Sequence, residues 1–211
     1  MHRLRGFFST EFAHMPKRFS PTFAMCRFLR ATVLTGLLAS PALPTWVSAG
    51  EVAPAGWDWT LEAGTASRAD VKKLGLSAGL TQAAPLWQGQ AWRLVLRHEL
   101  HLAGWRVPQA HNLVEVGYSP VLRLERPVGG GPHWLYAEAS IGVRLLSRTR
   151  LSPSHSMGTA YHFADMLGVG MRWGQGGRSS LGVRYQHLSN AGIKKPNPGI
   201  NFVLLHYTHR F

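Results

Sequence analysis

Cysteine and long apolar runs are scarce in this sequence. The single cysteine, Cys26, precedes a short apolar run near the N-terminus, so residues 50–211 contain no thiol. Disulfides, thiol catalysis and cysteine metal sites are therefore excluded from that part of the chain. No apolar run there approaches the roughly 20 residues that a transmembrane helix requires. Residues 50–211 must be held together by burial and hydrogen bonding alone.

Acidic residues are also scarce. The chain has 10 Asp and Glu against 23 Lys and Arg, a formal net charge of +13. Residues 1–49 carry six Lys or Arg and one Glu, which is +5 and leaves +8 for the rest. In an exported protein this charge favours an anionic surface such as lipid phosphates, with a merely solvated basic face as an equal alternative. We expect no nucleic-acid partner.

The N-terminal residues have the features of an export signal. A basic stretch leads into a short apolar run, residues 31–43, and residues 47–49 form a small-residue cleavage pattern. We expect residues 1–49 to form a signal peptide with an N-terminal extension, and residues 50–211 to form one β-barrel domain. A later start of translation, at Met25, stays open.

Eight segments of residues 50–211 alternate apolar and polar side chains with the period of two that marks β-strands. They cover residues 57–65, 73–80, 92–102, 114–124, 135–145, 161–173, 181–186 and 203–211. One face of each segment carries mainly Leu, Val, Trp or Tyr, and the other mixes Gly, Ser, Arg and Glu. A narrow polar lumen needs such a mixture, because charges can pair and small residues leave room.

The pattern predicts an all-β fold: an eight-stranded antiparallel transmembrane β-barrel of the outer-membrane type, with its apolar faces towards lipid. Only a closed barrel or a helix satisfies every backbone group in a bilayer. The last segment ends in Phe211 and resembles the terminal strand of bacterial outer-membrane barrels, although His209 departs from that pattern. Pro120 predicts a bulge. A soluble lipocalin-like barrel, with its apolar faces inside, is the alternative fold.

The candidate for chemistry is the segment from His187 to Asn201. His187 and Ser189 are two residues apart, so they share the outward face of one strand. A serine hydroxyl becomes a nucleophile when an imidazole takes its proton. Residues 190–199 then form a loop, and we expect Asn201 across from His187 or Ser189 on the next strand. Polar groups in lipid indicate a functional site by default, and tolerated polar residues at the headgroup boundary are the alternative.

This segment resembles the motif of the PagL family of lipid A 3-O-deacylases, in which a His-x-Ser-Asn run precedes a Lys-x-Pro-Asn-x-Gly loop and the final strand. The matching residues are His187, Ser189, Asn190, Lys194, Pro196, Asn197 and Gly199. The resemblance implies that Ser189 is the nucleophile and His187 the general base. It also implies that Asn190 is critical to activity and that Asn197 is a candidate oxyanion donor.

One position departs from the family pattern. The family has a glutamate as the third member of its triad, two residues after the loop glycine, where this chain has Asn201. A carboxylate stabilises the imidazolium, whereas an amide only orients the imidazole, and this change cost on the order of ten-thousand-fold in turnover in a serine triad. Three outcomes stay open: Asn201 orients His187 in a slower enzyme, Asp165 substitutes as the acid, or activity has been lost.

The resemblance implies an integral multi-pass protein of the bacterial outer membrane. The expected activity is that of an esterase that hydrolyses the 3-O-linked 3-hydroxyacyl chain of lipid A in lipopolysaccharide, without metal or cofactor. The expected partners are lipid A and outer-membrane lipids, and Lys194 and Lys195 are candidates for contacts with lipid A phosphates. The alternatives are a non-catalytic barrel and an outer-membrane phospholipase. The acyl-chain preference and the formation of a homodimer stay open.

Overall fold

Eight long strands close into a barrel. The computed structural model describes residues 56–129 and 132–211, so the expected boundary near residue 50 lies outside the described residues. The strands are Gly56–Ala66 (β1), Lys72–Thr81 (β2), Arg93–Arg106 (β3), Leu113–Val128 (β4), His133–Leu146 (β5), Tyr161–Trp173 (β6), Ser179–Ser189 (β7) and Ile200–Arg210 (β8). Each strand pairs antiparallel with its chain neighbours, and β8 pairs with β1. None of the described residues belongs to a helix long and apolar enough to cross a membrane.

The outer wall of the barrel is apolar and its interior is polar. Leu100 and Val169 face outwards and are 60% and 61% exposed, whereas Glu99 and Arg184 face the lumen and are fully buried. All eight strands contribute exposed apolar side chains, so the apolar surface encircles the molecule. Such a surface suits hydrocarbon, because a closed barrel pairs its backbone groups internally. The predicted fold and orientation are confirmed, and the lipocalin-like alternative is wrong.

Paired charges fill the middle of the lumen. Arg184 donates through Nε to Oε1 of Glu138 and through Nη2 to Oε1 of Glu99, each over 2.6 Å. Lys73 donates to Oε1 of Glu115 over 2.9 Å. An eight-stranded barrel is just wide enough for side chains to fill it. At this level the lumen is therefore occupied by ion pairs, which compensate part of the cost of burying each charge.

One end of the lumen is apolar instead. Leu188 of β7 and Phe202 and Leu204 of β8 face inwards and are fully buried. Trp105 meets the ring of Phe202 edge-on at a centroid distance of 4.7 Å, and its Nε1 donates to Oε2 of Glu115 over 2.7 Å. The same cluster includes Val71, Ala103, Val107, Leu113, Leu146, Leu151, Met157, Ala164 and Ile200. We call this cluster the apolar cap, and it closes one end of the lumen next to the charged layer formed by the ion pairs. The sequence predicted a polar lumen and did not predict this cap.

Pro120 interrupts the hydrogen-bond ladder between β4 and β5 without shifting the register of the two strands. Pairing is present on both sides of it, at Tyr118–Val143 and at Val121–Ser140. The register is the same at these two pairs, so no residue is inserted and the predicted bulge is wrong. Proline lacks an N–H, and it therefore removes one possible ladder bond without adding a residue to the strand.

Two loops carry short strands of their own. Residues Arg150–Ser152 and His155–Ser156 pair with each other between β5 and β6, and we call residues 150–156 the loop hairpin. Residues Trp87–Gln88 pair with the beginning of β3 at the opposite end of the barrel. The pairing of β7 with the beginning of β6 puts the loop hairpin at the same end as residues 190–199, which we call the motif loop.

Candidate active site

Three polar residues form a row across neighbouring strands on the outer wall, near the end of β7. His187 lies directly opposite Asn201 of β8 on one side and directly opposite Asp165 of β6 on the other. Residues directly opposite in an antiparallel pair have Cβ atoms about 4.5–5.5 Å apart. The strand register thus brings His187 and Asn201 together, and it gives His187 a carboxylate as its second neighbour.

A hydrogen bond joins His187 and Asn201. Nδ1 of His187 donates to Oδ1 of Asn201 over 2.5 Å. With this proton on Nδ1, the other ring nitrogen, Nε2, holds the lone pair that a general base needs. An amide therefore fills the position that orients the imidazole. It accepts the hydrogen bond but carries no charge.

Ser189 continues the strand face of His187 and is more deeply covered. Along this face the exposed fraction falls from 45% at Leu181 to 5% at Ser189, and His187 is half-buried between them. Phe163 of β6 lies directly opposite Ser189. The serine and the histidine thus lie at the loop end of the outer wall, where neighbouring segments cover the serine.

Asn190 holds two loops together. It is fully buried, and its Nδ2 donates to the carbonyl oxygen of Lys194 over 2.7 Å and to that of Met157 over 3.4 Å. Its Oδ1 accepts the N–H of Gly192 over 3.0 Å. Both ends of the amide are thus bonded to the backbone. The side chain links the motif loop to the residue that follows the loop hairpin, which is the geometry of a positioning residue.

The motif loop folds back against His187. The backbone N–H of Asn190 donates to Oδ1 of Asn197 over 3.0 Å, so Nδ2 is the group through which Asn197 donates. Gly199 has a φ of +64°, and a Cβ at this position would lie 2.8 Å from Cε1 of His187. Glycine is therefore required both by the backbone conformation and by the contact with the imidazole.

The turns at this end of the barrel are basic. They contain the exposed cations Arg68, Arg148, Arg150, Lys194 and Lys195, which we call the basic rim. Asp70 is the one acidic residue in the same turns, and in the described turns at the opposite end the one charged residue is Arg178. The positive charge of the turns is therefore concentrated at the end where His187 and Ser189 lie.

His155 is a neighbour of the site that the sequence did not single out. It is buried in the loop hairpin and hydrogen-bonds to the backbone of Gly199, the residue that touches the ring of His187. Burial and the positive charge of Arg68 lower the pKa of His155, so its imidazole is neutral at pH 7. No spacing in the sequence relates His155 to His187, because only the folded hairpin brings both to the same glycine.

The groups on this part of the outer wall include a hydroxyl, an imidazole and an acceptor that orients the imidazole. This combination of groups is used for nucleophilic attack on an ester. Within residues 56–129 and 132–211, no group of three or more His, Cys, Asp or Glu side chains is arranged to hold a metal ion.

The chain is similar to known proteins in sequence and in fold. The sequence model of the family described as "Lipid A 3-O-deacylase (PagL)" matches residues 72–210. A protein of Bordetella bronchiseptica named "Lipid A deacylase PagL" is 43% identical over 130 residues, which are 60% of this chain and 70% of that protein. Its namesake in Pseudomonas aeruginosa is 42% identical over 72 residues, 34% of this chain and 40% of the other. The solved structure described as "Crystal structure of the outer membrane enzyme PagL" is 27% identical, with a TM-score of 0.66, and covers 73% of this chain and 99% of its own.

Proposed function

The chain belongs to the PagL family of lipid A 3-O-deacylases, and from that membership we propose that it hydrolyses the 3-O-linked 3-hydroxyacyl ester of lipid A. In this proposal Ser189 is the nucleophile and His187 the general base. The observation that carries it is the hydrogen bond from His187 to Asn201, which orients an imidazole two residues away from a serine on the same strand face.

The reaction has two steps. In the first, Oγ of Ser189 attacks the ester carbonyl while Nε2 of His187 takes the hydroxyl proton. The bond between the acyl carbon and the sugar oxygen breaks, and His187 returns the proton to that oxygen. In the second step His187 takes a proton from water, whose oxygen attacks the acyl carbon. The acyl–serine bond breaks, Ser189 regains its proton, and a 3-hydroxy fatty acid leaves.

Asn201 keeps His187 in the productive tautomer. Because its Oδ1 accepts the Nδ1–H, the basic nitrogen is the one available to Ser189. An amide does not offset the positive charge that the imidazole gains in each step. The third position of the triad therefore supplies orientation without charge, and we expect Asn201 to support a slower reaction than a glutamate would.

The negative oxygen of the tetrahedral intermediate needs hydrogen-bond donors. The Nδ2 group of Asn197 is the candidate donor, because its Oδ1 is bonded to the N–H of Asn190. Preorganised donors of this kind are worth about 100- to 1,000-fold in turnover. Asn190 contributes to the reaction indirectly, by holding the motif loop that carries Asn197.

We place the protein in the bacterial outer membrane as an integral barrel. Its closed eight-stranded fold, its apolar outer wall and its family support this location. Barrels of this type keep short turns on the periplasmic side and longer loops outside. With β7 running outwards, the motif loop and the basic rim would face the outer leaflet, where Lys194 and Lys195 can pair with lipid A phosphates.

Mass spectrometry of lipid A tests the activity directly. In cells whose lipid A has a known acylation pattern, expression of the wild-type chain should remove one 3-hydroxyacyl group from each lipid A molecule. Expression of Ser189→Ala should leave the acylation of lipid A unchanged. Ser67→Ala is the matched control, since Ser67 is an exposed serine in a turn at the same end of the barrel. An unchanged acyl pattern, with folded wild-type protein in the outer membrane, would contradict the proposal.

The same experiment separates the alternatives. Release of fatty acid from phospholipid, with lipid A left intact, would favour a phospholipase. A barrel that is inactive both as wild type and as Asn201→Glu would favour a non-catalytic protein. A transport role has no support in the described lumen, because buried ion pairs and the apolar cap occupy it.

A further inference from the structure

Carboxylates are unevenly distributed over the described barrel. Six of its eight acidic residues face the lumen, where each has a cationic partner: Asp58, Glu62, Glu99, Glu115, Glu125 and Glu138. A seventh, Asp70, lies exposed in the turn between β1 and β2. Asp165 is the eighth, and of the described acids it alone lies on the outer wall. A carboxyl group on the outer wall of a membrane barrel is rare, and it indicates a functional site by default.

Asp165 lies where it can act on the proposed general base. The β6–β7 register puts it directly opposite His187, on the side away from Asn201. A carboxylate one cross-strand spacing from an imidazole favours the protonated ring, through an attraction that is stronger beside hydrocarbon than in water. Asn201 accepts the Nδ1–H of His187 but carries no charge. Asn201 can therefore orient the ring and Asp165 can supply negative charge, whereas a glutamate at position 201 would do both.

The strand register and the loop contacts define which groups face His187. The groups that face it are Asp165 from β6, Asn201 from β8, Gly199 from the motif loop, and Tyr185 and Ser189 two residues away along β7. Asp165 is the single carboxylate among them. His155 contacts Gly199 from the loop hairpin, and the cations of the basic rim lie in the turns at the same end. Asp165 is therefore the carboxylate that the strand register places beside the imidazole.

We propose that Asp165 is a positioning residue that supplies the missing negative charge of the triad: it stabilises the imidazolium of His187, while Asn201 fixes the tautomer. This inference rests on the proposed Ser189–His187 mechanism. In the family pattern one glutamate both orients the imidazole and stabilises its charge. Here the two roles belong to two residues on different strands, Asn201 and Asp165.

Kinetics of Asp165→Asn in the purified full-length barrel, with lipid A in mixed micelles, test this division of roles. We expect kcat to fall about tenfold to hundredfold with KM little changed, which is less than the cost of removing a directly bonded acid. The acid limb of kcat/KM should move to lower pH, because His187 loses a charge that favours its protonated form. Asp165→Glu should retain most of the activity, and Asn201→Glu should restore the activity of Asp165→Asn.

Asp70→Asn is the matched control. It removes the same charge at the same end of the barrel, from a residue that does not face His187, and asparagine suits the positive φ of 49° at this position. Its rate and its pH profile should equal those of the wild type. If Asp165→Asn does not fold, as judged by the heat-dependent gel migration of barrels, Asp165→Ser is a second neutral replacement.

The outcomes separate this inference from the proposed function. If Ser189→Ala is inactive while folded Asp165→Asn keeps the wild-type kcat and pH profile, the role of Asp165 is overturned and the serine mechanism stands. If the wild type shows no Ser189-dependent activity, the mechanism fails, and the role of Asp165, which rests on it, fails with it.

Discussion

At the scale of single residues, the bond between His187 and Asn201 decides what the site can do. It is formed by an amide oxygen, so it selects the ring tautomer without stabilising the charged ring. A site of this composition separates two contributions that a carboxylate makes together. A substitution at position 201 can therefore remove the group that orients the imidazole of His187. Alternatively, it can keep that orientation and add a negative charge beside the ring.

We expect Asn201→Ala and Asn201→Glu to change the rate in opposite directions. Alanine removes the acceptor for Nδ1–H and should lower kcat at least tenfold, because the ring loses its fixed tautomer. Glutamate keeps an acceptor and adds a charge, and it should raise kcat about tenfold or more. Initial rates of lipid A deacylation by purified barrels measure both. Equal rates for all three proteins would show that position 201 does not act on His187.

Residue spacing predicted part of this site. The two-residue step from His187 to Ser189 and the length of the motif loop were enough to expect Asn201 on the opposing strand, since strand parity and hairpin pairing are local rules. These rules could not predict the contact of His155 with Gly199. It depends on how the loop hairpin folds over the barrel end, and neither parity nor spacing describes a loop.

At the scale of elements, Asn190 joins the motif loop to the chain beyond the loop hairpin. Its amide donates to the carbonyl oxygens of Met157 and Lys194 and accepts from the N–H of Gly192. An amide can do both, because it has two donated hydrogens on its nitrogen and an acceptor on its oxygen. The position of Asn197 beside the site depends on this connection.

Asn190→Asp should therefore be as damaging as Asn190→Ala. A carboxylate keeps the acceptor for Gly192 but turns two donated bonds into contacts between oxygens, and we expect a loss of about tenfold to hundredfold in kcat as the loop shifts. Trypsin should cut the loosened loop faster after Lys194. A variant with wild-type activity and wild-type trypsin resistance would show that the loop is held by other contacts.

The strands themselves were predictable to within a few residues at each end, because alternation persists wherever one face meets lipid. The apolar cap was not. Residues such as Leu188 and Phe202 have the inward parity of the charged layer, and alternation tells only which side of the wall a residue faces. What lies on that side changes with depth, from paired charges to apolar contacts beneath the loops.

At the scale of the whole molecule, the buried charges of the lumen act as a single network. Arg184 is bonded to Glu138 and to Glu99 and lies 3.6 Å from Glu62. Removing one partner from such a network leaves buried carboxylates with fewer cations. The structure is therefore more sensitive to the loss of one central charge than to the loss of many charges on its rim.

Arg184→Ala should lower the free energy of unfolding by about 3–5 kcal/mol. Urea unfolding in detergent micelles, followed by tryptophan fluorescence, measures the difference. Arg178→Ala is the control, since Arg178 is an exposed arginine in the turn before β7 and its loss should change the stability by less than about 0.5 kcal/mol. Equal midpoints for the two variants would mean that the network contributes little to the stability of the barrel.

The proposed nucleophile and base lie on the wall of the barrel rather than within its lumen, and this sets how a substrate would reach them. A lipid anchored in the same leaflet approaches sideways, by two-dimensional diffusion, and never has to leave the membrane. Encounter is then governed by the mole fraction of that lipid among its neighbours, not by its concentration in water. The surrounding leaflet thereby becomes part of the reaction medium: its composition and fluidity set the rate of supply, while the protein sets the rate of chemistry.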